Sequence, residues 1–128
     1  MKKNLSESIE YSAKSIEYDE KRINIGKIEN PSAYFKYSGP CGDTMEVYLN
    51  IKSNVITDVK FQTTGCTAAR SSGSAVSIIV DGKILEDAEK ITTEDIIDHL
   101  DGLPPPKKHC ACLARTTLLK AIEKYKKI

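Results

Sequence analysis

No stretch of this 128-residue chain approaches the ~20 consecutive apolar residues of a membrane-spanning helix. The opening Met1-Lys2-Lys3 runs into Asn4-Leu5-Ser6-Glu7-Ser8-Ile9-Glu10 and lacks the apolar centre of a secretory signal. These absences remove the membrane as a partner and predict a cytoplasmic protein. Neither charge is in excess, since 19 basic and 18 acidic side chains leave a formal net charge of +1. With no long run of one sign, the footprint of a nucleic-acid partner is missing too. Lys120, Lys124, Lys126 and Lys127 fall where cations complement the negative end of a C-terminal helix. There is no internal repeat and no low-complexity tract. There is also no Cys-x-x-Cys and no set of closely spaced zinc-finger pairs, which argues against a redox dithiol enzyme.

What is there fits one domain over residues 1–128, with residues 1–30 forming an N-terminal helix and linker. Leu5, Ile9, Ala13 and Ile16 fall on one helical stripe, and Asn4 with Glu7 has capping-box spacing, so a helix is expected from Asn4 to about Glu20. Ala33 to Tyr37 reads as a short strand. Met45, Val47, Leu49 and Ile51 then alternate with polar neighbours, and after Ser53-Asn54 so do Val55, Thr57, Val59 and Phe61. The two runs predict an antiparallel hairpin whose outer ends meet. Thr67 to Val80 is a small-residue helix stopped by Asp81-Gly82, and Thr92 or Thr93 caps a shorter helix through His99 or Leu100. Three prolines then interrupt the chain before a long helix from about His109 to Lys127, burying Ala114, Leu118, Ala121 or Ile122, and Tyr125.

In a reducing compartment the four cysteines point to metal binding or catalysis rather than disulfides. Cys41, Cys66 and Cys110 are 25 and 44 residues apart, a spacing that carries no motif by itself. Their settings say more. Cys41 lies in Gly-Pro-Cys-Gly-Asp, Cys66 follows Gly65 at a strand-to-helix junction, and Cys110 follows His109 at a helix start. A helix N-terminus lowers a thiol pKa and favours the thiolate that binds metal and attacks sulfur. Asp43 brings a carboxylate to the same loop as Cys41. Cys112 lies two residues beyond Cys110, about 200° around a helix, so the two do not share one metal; burial as a small hydrophobe is expected for it, with a spare ligand and persulfide acceptor as the alternative if the helix begins later. His99 reads as a surface or capping residue, and Arg70 as a solvated cation one turn after Cys66.

Cys41-Gly42-Asp43, Gly65-Cys66-Thr67-Ala68 and Leu103-Pro104-Pro105-Pro106-Lys107 followed by His109-Cys110 together resemble the NifU/IscU-type iron–sulfur cluster assembly scaffolds over about two thirds of the chain. The resemblance implies an α+β fold: a small three-stranded antiparallel sheet packed with helices, with an N-terminal helix and a long C-terminal helix. It also implies that Cys41, Cys66 and Cys110 bind a transient [2Fe–2S] cluster, with Asp43 or His109 as the remaining ligand. The role implied is a scaffold, not an enzyme. It would receive iron, and sulfur from a cysteine desulfurase, and pass the cluster to apo iron–sulfur proteins. Leu103, Pro104, Pro105, Pro106 and Lys107 are similar to the segment an Hsp70-type chaperone grips in the family, with Pro106 where valine is usual. Glu29-Asn30-Pro31 resembles an early family motif, joined to Cys41 by a shorter segment than usual. Two rival readings use the same ligands. One is a zinc-bound sulfur acceptor, whose representatives usually carry an insertion that the 44-residue interval leaves no room for. The other is a purely structural Zn²⁺ domain.

Overall fold

The computed structural model describes residues 10–40 and 42–127. Its centre is the expected hairpin, β2 (Thr44–Lys52) and β3 (Val55–Thr63), with β1 (Ala33–Ser38) antiparallel on the other side of β2. Ser53 and Asn54 both take left-handed backbone, φ 52° and 67°, the two-residue turn that suits the twist of a hairpin. Met45, Val47 and Leu49 alternate into the core, each at most 2% exposed.

In β3 strict alternation fails. Asn50 pairs with Asp58 but Ile51 pairs with Ile56, which leaves Thr57 as an extra residue on β3. A bulge of this kind reverses the faces beyond it. Ile56 is consequently fully buried and Thr57 exposed, whereas the sequence pattern put Thr57 on the core face with Val55.

The first helix is also shorter than its pattern suggests. Asn4, Leu5, Glu7 and Ile9 lie outside the described residues. Among the described ones, α1 runs only over Ala13–Lys21, because Ser12 is extended and its hydroxyl accepts the Ser15 N–H at 3.0 Å. That cap ends the helix on its N-terminal side. Ile16, expected on the buried stripe, is 44% exposed, and Ser15 takes the buried position instead.

Helix α2 (Thr67–Val80) has the expected bounds and lies against the sheet. At Gly73 the Phe61 ring leaves no room for a side chain, since a Cβ there would lie 2.3 Å from it. Ser71, Ser72, Ser74 and Ser77 are all fully buried on this helix, small enough to let neighbours pack closely. A four-residue α3 (Leu85–Ala88), not anticipated in the sequence, leads to α4 (Thr93–His99), capped at Thr92. Leu103 and Pro104 are buried, Pro105–Lys107 forms a single 3₁₀ turn, and α5 (Lys108–Lys126) packs on β1, β2, α2 and α4. Ala114, Leu118, Ala121 and Ile122 are fully buried along α5, with Tyr125 packed at the edge of the core. Among the described residues, no helix is long and apolar enough to cross a membrane.

Candidate metal centre

The hairpin register brings the start of β2 and the end of β3 to one end of the sheet, with Met45 opposite Thr63. Hydrogen bonds lock that end. The Thr44 carbonyl accepts the Thr63 hydroxyl at 2.6 Å and the Thr64 N–H at 3.1 Å, and the Thr44 N–H donates to the Thr64 hydroxyl at 3.1 Å. The loop before β2 closes on itself as the Gly39 N–H donates to the Asp43 carbonyl at 2.8 Å. Cys41, inside that loop, lies outside the described residues.

Gly65 lets the two strand ends close up. A Cβ on it would stand 3.2 Å from Asp43 Oδ2 and 2.5 Å from the Ala69 Cβ, so a side chain there would displace the carboxylate or the first turn of α2. The next residue, Cys66, is the N-cap of α2 and makes no side-chain cap bond. From the other side, the 3₁₀ turn delivers the start of α5. Single ligand atoms of Asp43, His109 and Cys110 all lie within 4.8 Å of one another, and Cys110 Sγ is 3.6 Å from His109 Nε2. Cys110 is fully buried, Asp43 half-buried and His109 exposed, so the group is open on its imidazole side.

The two described thiols that face this site are tuned in opposite directions. Burial pushes Cys66 up, but the Ala68 and Ala69 N–H groups, the Tyr11 hydroxyl and Lys107 together outweigh it and leave the thiol below its ordinary value. Burial pushes Cys110 up to about 12, and the neighbouring Cys66 and Asp43 add to this by repelling a second negative charge. One thiol is thus predisposed to be a thiolate. The other keeps its proton until a cation arrives to replace it. Two thiols, a carboxylate and an imidazole make a mixed soft and hard donor set, suited to iron or zinc.

Of the expected ligands, the structure brings Asp43, His109 and Cys110 into one group, and Cys66 stands next to Cys110 but outside that group. Two other readings change. Cys112, expected to be buried, is exposed, because α5 turns Cys110 into the core and a residue two positions on comes out nearly opposite. Arg70 is no free cation: its guanidinium binds both oxygens of Asp19 and donates to the Gly65 carbonyl at 2.9 Å. His99 accepts or donates a 3.0 Å hydrogen bond with the Tyr18 hydroxyl, away from the ligand group. Glu29-Asn30-Pro31 precedes β1 at the Ala33 end, which pairs with Leu49, whereas Ser38 at the other end pairs with Thr44 beside Asp43.

Sequence reasoning missed two contributors. Tyr11 sets its hydroxyl 3.8 Å from Cys66 Sγ, and is itself raised to about 12, first by burial and then by that contact. Asp19 ties α1 to the start of α2 through Arg70 and, at 2.9 Å, through the Thr67 hydroxyl. No local pattern marks either residue, since their partners are 55 and 48–51 positions away.

Residues 10–128 match the family model described as NifU-like N terminal domain. The chain is 40% identical over 116 residues, covering 90% of it and 76% of the relative, to a protein of Archaeoglobus fulgidus named iron-sulfur cluster assembly scaffold protein IscU 1. It is 36% identical over 121 residues, covering 92% of it and 77% of the relative, to an Aquifex aeolicus protein named iron-sulfur cluster assembly scaffold protein IscU. Two solved structures share the fold. One, described as a putative iron-sulfur cluster assembly scaffold protein from Fervidobacterium islandicum, has a TM-score of 0.75 at 23% identity, over 93% of this chain and 99% of that one. The other, a NifU-like protein of Brucella abortus, has a TM-score of 0.73 at 18% identity, over 97% and 99%.

Proposed function

This chain belongs to the NifU-like N-terminal domain family, and we propose that it is a scaffold on which a [2Fe–2S] cluster is built from iron and desulfurase-derived sulfur and then handed to apo iron–sulfur proteins. The observation that carries this reading is the convergence of Asp43, His109 and Cys110 within 4.8 Å, beside the thiolate-prone Cys66. The cluster is cargo, and residues 1–128 act as one scaffold unit. Cys41, Cys66 and Cys110 supply thiolates, and Asp43 or His109 supplies the remaining ligand.

The donor set suits a cargo that must leave. Thiolates hold iron–sulfur clusters firmly, and a carboxylate or imidazole in place of a fourth thiolate loosens the hold. Cys110 must give up its proton when iron binds, so loading couples to proton release at a buried position. Exposed His109 leaves one side of the group accessible to an incoming or outgoing partner. This chain supplies ligands, while the sulfur-releasing chemistry belongs to the desulfurase. An Hsp70-type chaperone meets Pro105 and Pro106 at the surface, but Leu103 and Pro104 are buried, so gripping the whole run requires the segment to leave the core.

Anaerobic reconstitution with ferrous iron, cysteine and a cysteine desulfurase tests the reading. A coloured protein with sulfide-to-iron charge-transfer bands is expected. A protein that stays colourless and retains only Zn²⁺ refutes the scaffold and leaves the two zinc readings, the sulfur acceptor and the structural domain.

A further inference from the structure

The N-caps Ser12 and Thr92 are fixed by their own side chains, each accepting the N–H three residues on. Cys66, the extended N-cap of α2, makes no such bond, so nothing within the residue fixes where its Sγ points. The residue before it adds to this freedom. Gly65 has no Cβ to restrict its backbone, and because a peptide moves as a plane, any rotation of the Gly65–Cys66 unit swings the Cys66 Cα–Cβ bond with it.

Arg70 removes that freedom. Its guanidinium donates through Nη1 to the Gly65 carbonyl at 2.9 Å, and its own amide donates to the Cys66 carbonyl at 3.0 Å. One residue thus holds the carbonyl on each side of the Cys66 Cα. On the strand side the Gly65 N–H donates to the Thr63 hydroxyl at 3.1 Å, so the glycine is tied at both ends.

Arg70 is held in turn. Asp19 of α1 accepts Nε on one carboxylate oxygen and Nη2 on the other, which leaves Nη1 aimed at Gly65, and it also accepts the Thr67 hydroxyl at 2.9 Å. The planar fork fits the carboxylate in a way that a lysine ammonium does not reproduce. Asp19 favours the Arg70 cation against burial and Cys66 adds to this, so the cation lies within electrostatic reach of the Cys66 thiolate.

We propose that Arg70, oriented by Asp19, is a positioning residue for the Cys66 metal ligand: it fixes the Gly65–Cys66 peptide so that Sγ is already presented beside Cys110 when metal arrives. This rests on the reading of Cys66 as a ligand. Arg70 touches no metal and acts through the backbone, sparing the site a reorganisation on binding. Through Asp19 the hold on metal also depends on α1, a helix that supplies none of the ligands.

The test is anaerobic titration of the reduced, metal-free full chain with Co²⁺, in which the sulfur-to-cobalt charge-transfer absorption reports how many thiolates bind and a competing chelator gives the affinity. Arg70→Gln binds Co²⁺ about tenfold more weakly and loses one thiolate's share of the absorption. Arg70→Lys, which keeps the charge without the fork, recovers only part of the loss. Thr92→Ala, which removes a cap away from the ligand group, binds as the wild type does. Wild-type affinity and absorption in Arg70→Gln, full recovery by lysine, or equal weakening in Thr92→Ala overturns the proposal. Should Arg70→Gln lack the native far-ultraviolet dichroism, Asp19→Asn decides, since it leaves Arg70 in place but unheld: weaker binding with lost absorption upholds the proposal, and a wild-type titration overturns it. Cys66→Ser separates the two readings. Wild-type absorption in that variant removes Cys66 from the ligand set and takes the proposal with it, whereas reduced absorption there beside an unchanged Arg70→Gln refutes the positioning role alone.

Discussion

Helix α4 and the two helices that begin at the candidate metal centre start in opposite ways. At α4, Thr92 accepts the Asp95 N–H at 3.0 Å while the Asp95 carboxylate accepts the Thr92 N–H at 2.9 Å, and Glu94 and Asp95 occupy the first turn. Orphan donors and the positive end of the dipole are both satisfied there. This start lies beside the C-terminal end of α2, far along that helix from Cys66. Helices α2 and α5 have neither a side-chain cap bond nor a first-turn acid, and α5 opens on Lys107, Lys108 and His109. The uncapped donors are used by the site: Ala68 and Ala69 amides favour the Cys66 thiolate, and Lys107 adds to that field. Local capping is complete at α4 and absent at the two helix starts that face the candidate ligand group.

The contrast can be broken most severely at the site. Cys110→Ser is expected to abolish retained cluster in anaerobic reconstitution, read from the visible absorption, while the far-ultraviolet dichroism stays native; undiminished absorption would remove Cys110 from the ligand set. Asp43→Ala should lengthen the cluster half-life, by roughly tenfold for a neighbour that tunes lability, and a shorter half-life would show that the carboxylate holds rather than loosens.

Asp19→Asn removes the anchor that joins α1 to the uncapped start of α2, and is expected to cost about 1–3 kcal/mol in urea unfolding. Hydrogen bonds from Arg70, foremost, keep the Asp19 carboxyl below its ordinary value. Its contribution is therefore present above about pH 4 and lost as pH falls through the folded-state value. The Asn variant should lack that part of the acid limb. Thr92→Ala breaks the capping box and should cost about 1 kcal/mol with cluster yield unchanged. A fall in yield would mean that α4 and the centre are coupled after all.

The smallest effect concerns His99, in the last turn of the well-capped α4. Burial, then Lys14, pushes its pKa below the ordinary value, with Asp101 opposing. The unfolded chain thus binds the proton more readily. Stability is whole above the unfolded value of about 6.5 and declines as pH falls through the folded one. Urea midpoints between about pH 7.5 and about pH 5 should drop more for wild type than for His99→Gln.

Much of this was legible in order of locality. The hairpin, the Thr92 cap and the bounds of α2 follow from alternation and capping within a few residues. The sequence placed Cys66 and Cys110 at element boundaries, where the structure also has them, and the hairpin holds Asp43 against Gly65, the residue before Cys66. Thr57 was misplaced because a bulge interrupts the period without a glycine or proline to mark it. Ile16 was misplaced because an apolar stripe does not say whether a neighbour covers it.

The sequence by itself determined where the hairpin, α2, α4 and α5 lie and which thiols sit at their ends, because periodicity, caps and turn residues act along the chain. Tertiary packing decided the absolute phase of each helix: periodicity separates Cys110 from Cys112 by about 200°, but only the contacts of α5 turn Cys110 inward and Cys112 to the surface. It also decided the long-range partners. Tyr11 over Cys66 and Asp19 on Arg70 join residues more than 50 positions apart, and no local rule selects such a pair before the core has formed.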